Sequence, residues 1–446
     1  MSQPSAATAP APTAPGRAPL PVPATAAASP AARPQPVPLG SRPADVETPA
    51  TNTPLRLRRM RSVLVATGLV LAVLGTLAMA LLTLTLRQAA GDVEQLVRVQ
   101  TIETDLLVAD ANATNTFLVG GLESPERRAA YDAALSDVAD LVARAAQAQP
   151  ADAAALSALN AHVLDYAGLV EAARANNRQG LPVGAQYLRE ASNGLRSDAL
   201  PIADALVEAN TARATAALTT GWGWVLPVLA LGATAVFVVV QVRVARQFRR
   251  RVNAGLLTAT LVLLALSLVS LVALALLTGS VGVARGDFVD VRDAGTARVQ
   301  ANLAKSSESL TLVARGSGQA YEDSWQASSR EVLDRLSGIR DASSFTRPWR
   351  DYADVHTQVR TLDDGGRWDD AVDLATGSDA GTSNAAFAPF DASVASFVAG
   401  TGKTAVNGVR GSVPDLVLGC ILTFLAGLGA ALAGHRGISV RLREYR

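Results

Sequence analysis

RVARQFRRR, residues Arg243 to Arg251, stands between two long apolar runs, one ending near Val242 and the other beginning near Val252. A stretch so short between two such runs reads as a tight hairpin turn at a membrane face. It carries Arg243, Arg246, Arg249, Arg250 and Arg251 and no acid. Short loops rich in arginine stay on the cytoplasmic side, so the turn is expected to be cytoplasmic and to set the topology of the rest.

Working outward, the chain of 446 residues is 49% hydrophobic, with a mean hydropathy of +0.22. That is too apolar for a soluble chain of this length. The excess falls in four blocks, 62–86, 222–242, 252–279 and 411–434, each near the roughly 20 residues that cross a hydrocarbon core as a helix. Arg56, Arg58, Arg59 and Arg61 precede the first block, and Arg436, Arg441, Arg443 and Arg446 follow the last. The expectation is therefore a multi-pass plasma-membrane protein with both termini cytoplasmic. Residues 87–221 and 280–410 then lie outside, 243–251 forms an inner hairpin, and 435–446 is an inner tail. Residues 1–54 are rich in Ala and Pro and read as a disordered cytoplasmic tail. In it, Thr48 and Thr53 precede prolines close to the arginine cluster and are candidate phosphate acceptors.

Both outer segments read as helices. Val99, Ile102, Leu106, Ala109, Ala113 and Phe117 recur at steps of three or four, giving one apolar stripe. Gly120-Gly121 breaks it, and Ser124-Pro125-Glu126 restarts a helix whose stripe runs through Tyr131, Leu135, Val138 and Val142. Leu156, Leu159, Val163, Tyr166 and Val170 form a third stripe, and a last helix near Ile202 and Leu206 is expected to run directly into the second apolar block. The second segment echoes the first: Asp165-Tyr166-Ala167 matches Asp351-Tyr352-Ala353, with Gly180 and Gly366 at the same interval beyond. Leu200-Pro201-Ile202-Ala203-Asp204 resembles Ala388-Pro389-Phe390-Asp391. The expected fold class is all-α, four transmembrane helices carrying two extracytoplasmic antiparallel helical bundles in a tandem repeat.

The chemistry-bearing residues are sparse. His162, His356 and His435 are the only histidines and lie in separate segments, there is no GxxxxGK[ST] loop, and the carboxylates are spaced like those of solvated helix faces. The expectation is a protein that is not an enzyme, with no catalytic, metal or cofactor site. Asp415 is the one acid within an apolar block, near its outer end, which argues against a transport path. The cysteine at 420 lies in the last block, so no disulfide staples the outer segments. No nucleic-acid partner is expected. Two surfaces remain as candidates: the five arginines of the hairpin for a cytoplasmic partner or anionic lipid of the bilayer, and the second segment's Trp325, Trp349 and Trp368 for an extracytoplasmic one. Core packing of those tryptophans is the competing reading. A small-molecule pocket near Asn112, Asn115 and Arg127 is a third candidate. Gly68, Gly75, Gly427 and Gly429 would permit close helix contact, including that of a homodimer.

ANATNTFLVGGLESPERRAAYDAAL, Ala111 to Leu135, resembles the four-helix-bundle sensor domains of bacterial receptors, chiefly those of actinobacterial membrane proteins. The arginine-dominated, Ala- and Gly-rich composition agrees with such a high-GC source. The layout as a whole is similar to the GlnX-type transducer family. That resemblance implies a signal transducer relaying glutamate or aspartate availability from an amino-acid-binding lipoprotein outside to a serine/threonine kinase of the protein kinase G type inside. It carries over no ligand residues. The competing expectation is a structural scaffold of the cell envelope that does not switch.

Overall fold

The structure, a computed structural model, describes residues 53–119, 125–219, 221–248, 253–340 and 342–443. The N-terminal tail with Thr48, the Gly120-Gly121 break, Ser124 and Arg249 to Arg251 lie outside the described residues. Among the described residues the elements are helices throughout.

No proline interrupts the chain between Leu55 and Val119, and it forms one unbroken rod. Helix α1 (Thr53–Val70) passes through a π-helical turn, Leu71–Gly75, into α2 (Thr76–Val119). Helices α3 (Pro125–Ala148), α4 (Ala153–Arg178), α5 (Val183–Gly194) and α6 (Leu200–Thr219) pack back against α2, and α7 (Val225–Phe248) follows. The second half opens on α8 (Ala254–Ala314), 61 residues long, which also lacks proline. Its first turn is capped by Asn253, whose side chain accepts from the Leu256 N–H. At 1.5 Å per residue α8 is about 90 Å long, some three times a hydrocarbon core. Then come α9 (Gln319–Ser337), α10 (Ser343–Asp364), α11 (Trp368–Thr376), α12 (Ser383–Gly411) and α13 (Val413–Arg443). The two halves thus share an element order, and in each the short helix follows a left-handed glycine, Gly180 at φ 70° and Gly366 at φ 76°.

The stripes read from sequence line the cores. Val99, Ile102, Leu106, Tyr131, Val138, Leu156, Val163 and Tyr166 are buried together among α2–α6. Val291, Val332, Trp349, Tyr352, Phe390 and Val394 form the counterpart among α8–α12. A further core joins α1, α7, the start of α8 and α13 through Leu64, Leu71, Phe237, Leu256, Leu263 and Ala430. Among the described residues five helical stretches are long and apolar enough to cross a membrane, by length and composition. Four contain the blocks read from sequence; the fifth, 150–178, is α4 with its lead-in turn, whose apolar stripe is spent on the α2–α6 core.

One expectation is corrected at the junctions. The helix through Ile202 and Leu206 does not continue into the next apolar helix: α6 ends at Thr219, and a 3-10 turn, Gly221–Trp224, precedes α7. The two glycines flanking Trp222 loosen the turn, and both indoles are exposed. Likewise α12 ends at Gly411 before α13 begins at Val413. Only the entry rods, α1–α2 and α8, run unbroken from apolar helix into core.

The glycines expected to allow a homodimer are largely used within the chain. A Cβ on Gly427 would stand 2.6 Å from the backbone N of Ala72, and one on Gly68 would stand 2.7 Å from the Gly427 carbonyl oxygen. One on Gly75 would meet Thr423 at 2.8 Å, whereas Gly429 faces open space. Backbone atoms cannot swing aside, so α1 and α13 must separate to admit a side chain. Gly427→Val is expected to lower stability by about 1–3 kcal/mol, and Gly429→Val to leave it unchanged. Thermal unfolding of the two variants in nanodiscs checks this; equal loss from both would refute the crossing.

Candidate functional site

Helix α2 buries two stripes. Beside the apolar one runs a second at the same three- and four-residue steps: Leu96, Gln100, Glu103, Leu107, Asp110 and Thr114, all buried and mostly polar. Helix α8 answers it with small residues. From Ala304 to Leu312 every residue is buried, and Ser306, Ser307 and Ser309 take up little space, so neighbouring helices approach from all sides. The two rods meet along this seam. The expectation that carboxylates lie on solvated faces is corrected here: Glu103, Asp110 and Glu308 are inside.

Asp110 is the central node. One carboxylate oxygen accepts from Ser192 Oγ at 2.5 Å, the other from Ser306 Oγ at 2.5 Å and Arg196 Nη2 at 3.4 Å. Arg196 also donates to Ser306 Oγ at 2.7 Å. Tyr166 OH, 3.5 Å from Asp110, completes the node. The two sides are further joined by Ser309 Oγ donating to Asn115 Oδ1 at 2.7 Å and by Gln100 Nε2 donating to the Arg292 carbonyl at 2.9 Å. Arg127 on α3 donates to the Thr376 carbonyl at 2.7 Å. Asn115 and Arg127, candidates for a ligand pocket, are therefore ties between the halves, and Asn112 bonds back to the Val108 carbonyl in its own helix.

The same turn of α8 carries a charged cluster. Lys305 Nζ donates to Glu308 Oε1 at 2.6 Å and to Ser383 Oγ at 2.6 Å. Glu308 Oε2 faces His356 Nδ1 at 2.9 Å, and His356 Nε2 faces Glu322 Oε2 at 3.2 Å. Burial opposes ionisation of Glu308, but the Lys305 ammonium and His356 outweigh it and bring the carboxyl down to about 2. Burial also disfavours the imidazolium, yet hydrogen bonds to Glu308 and Glu322 raise His356 above its ordinary value. Trp325 stacks on His356, ring centroids 3.7 Å apart, and donates to Tyr352 OH at 3.1 Å. With Lys305, Glu308 and His356 buried and Glu322 partly exposed, the cluster locks α8 to α9, α10 and the start of α12.

That lock accounts for the tryptophans. Trp349 and Trp325 are buried in the α8–α12 core, and Trp368 is half-buried, its indole N–H donating to the Leu312 carbonyl under Arg315. The surface expected of them is corrected to core: aromatic rings fill the space between helices that small α8 residues leave open. Of the hairpin arginines, Arg243 and Arg246 are exposed at the end of α7. Among the described residues no group of three His, Cys, Asp or Glu side chains is placed to hold a metal ion.

The two cores hold their acids differently. In the second, Arg298 grips Asp391 with two hydrogen bonds, 2.7 and 2.9 Å. In the first, Asp204 meets another acid, Glu103. Burial and then the Asp204 carboxylate push Glu103 well above its ordinary value, and burial raises Asp204. Asp105, on the same helix, is raised to about 6, chiefly by burial. An acid raised in the folded state contributes stability that is complete below its unfolded value and is lost as pH rises through the folded one. Unfolding temperature is therefore expected to fall as pH climbs from about 4.5 towards 7, with His356 acting in the same sense. Glu103→Gln is expected to flatten that slope, read by thermal melts across the range; an unchanged slope would count against the acid pair.

This geometry belongs to a stretch with known relatives. Residues 85–219 match the actinobacterial sensor domain family. The match opens within α2 and closes at the end of α6, so it covers the first core apart from Val299 of α8 and stops short of the 3-10 turn before α7. Comparison with curated proteins and with solved structures gave no match. A sensor-domain match beside helices long and apolar enough to cross a membrane points to a sensing or signalling role at a membrane. The seam itself escaped sequence reading, although Glu103 and Asp110, seven apart, carry a helical repeat.

Proposed function

We propose that the chain is a non-enzymatic transmembrane signal transducer of the GlnX type. In this reading four helices span the plasma membrane, both termini are cytoplasmic, and two tandem bundles stand outside. The transducer relays glutamate or aspartate availability from an amino-acid-binding lipoprotein to a serine/threonine kinase docked on the arginine hairpin Arg243 to Arg251. The observation that supports it most is the seam: the sensor-matched α2 and the rod α8 are each continuous with an apolar helix and are held together by buried hydrogen bonds. A partner that favours one packing of α2 against α8 would shift both rods at once, and hence the helix ends inside. Such a partner biases the equilibrium only by binding the two packings differently.

The test is a membrane pull-down with the full-length protein as bait, with quantitative mass spectrometry, with and without glutamate or aspartate. Recovery of a solute-binding lipoprotein and a serine/threonine kinase, in amounts that change with the amino acid, is the expected result. Recovery of wall-synthesis or division proteins alone, indifferent to amino acids, would replace the transducer with the scaffold.

A further inference from the structure

A groove of about 290 Å³ opens where the apolar helices give way to the cores, between α2, the end of α6 with its 3-10 turn, and α8. Leu82 and Leu86 form one wall and Leu274, Leu277 and Val281 another. Along α8 the lining residues follow one face, Leu274, Leu277, Thr278, Val281, Gly282 and Arg285, so the groove grades from apolar to cationic over about 16 Å. Arg285 is exposed and makes no ion pair with any carboxylate among the described residues. Two glycines keep the groove empty: a Cβ on Gly221 or on Gly282 would meet nothing within 4 Å. Trp224, exposed, lines the groove, and Leu276 and Val283 of α8 are exposed beside it.

We infer that this groove holds one acyl chain of an anionic phospholipid of the outer leaflet, with its phosphate on Arg285. The gradient is that of an amphiphile standing in a bilayer: chain against the leucines, headgroup charge at the arginine, an indole at the boundary between them. The site opens sideways onto exposed apolar helix surface, where lipid would enter, and its single unpaired cation selects a negative headgroup. This rests on the membrane topology proposed above, and lipid binding to purified protein reads it separately from any partner's recovery.

The experiment is native mass spectrometry of the full-length protein titrated with phosphatidylglycerol and with phosphatidylcholine of the same chains. The expected result is one tightly retained phosphatidylglycerol, preferred about fivefold, the weight of one arginine beside an anionic headgroup. Arg285→Gln should abolish the preference and Arg285→Lys should keep it. Gly282→Leu, at a groove position where an added Cβ meets nothing within 4 Å, should displace the lipid, and Gly279→Leu, also in open space on α8 but outside the groove, should not. Equal retention of the two lipids by the unaltered protein, or full retention by Gly282→Leu, would overturn the inference. So would competition by glycerol phosphate, which has the charge and no chain. Should Gly282→Leu fail to fold, the Arg285 pair decides.

Discussion

Asp110→Ala is expected to destabilise the protein by about 3–5 kcal/mol, because it leaves a guanidinium and three hydroxyls without their common acceptor. Asp110 is completely buried, and Arg196, which reaches it, is only 17% exposed. Ser192, Arg196 and Tyr166 come from the sensor-matched segment, whereas Ser306 comes from α8. The loss therefore has two parts. One is internal to the first core, and the other is the tie between the rods. Ser306→Ala removes only the second and should cost about 1 kcal/mol. Thermal unfolding of both single variants and the double variant separates the parts. The double variant is expected to lose less than the sum of the two singles, since Ser306 keeps only its contact with Arg196 once Asp110 is gone. Strict additivity would show that Asp110 does not bind the halves together.

The same node explains what the sequence conceals. The stripe from Val99 to Phe117 is legible because its residues are apolar and recur at helical steps, and it packs as read. Its neighbour, Leu96 to Thr114, has the same steps but alternates leucine with Gln, Glu, Asp and Thr, the usual mark of a wet face. Burial there depends on a helix some 200 residues away supplying serines of the right size, and periodicity within one segment carries no information about that partner. The matched tyrosines are a middle case. Tyr166 and Tyr352 were legible as equivalent positions, and both are buried. That one hydroxyl meets Asp110 and the other accepts from Trp325 required coordinates. The tryptophans erred in the opposite direction: size and aromaticity suit a docking surface and a core equally, and only the small α8 residues around them decide for core. The junctions failed for a third reason. Gly221 and Gly223 flank Trp222 in the 3-10 turn before α7, and apolar periodicity on either side carries no signal of that break.

Glu308→Gln is expected to be as damaging as the loss of Asp110, about 3–5 kcal/mol, although it changes a single atom. The amide cannot supply the negative charge that keeps Lys305 and His356 protonated inside the α8–α12 core. Lys305, at 4% side-chain exposure, has no other carboxylate among its partners, which are the Ala375 carbonyl and Ser383 Oγ. Its ammonium must then shed a proton or draw water into the core. His356 keeps Glu322 and with it part of its charge stabilisation. Since Glu308 is depressed in the folded state, the stability it contributes is complete above its ordinary value and is lost as pH falls towards about 2. The variant should therefore lose most near neutral pH and converge on the parent in strong acid. Lys305→Met alone should also be costly, because it strands the buried carboxylate beside one cation. The double variant Lys305→Met, Glu308→Leu should recover most of the loss, as apolar residues of similar volume often replace a buried ion pair without penalty. Chemical unfolding of Lys305→Met, Glu308→Leu and the double variant at pH 7, with Glu308→Gln alongside, checks this. A double variant as unstable as the sum of its singles would mean that the two charges are held by the surrounding helices and not by each other.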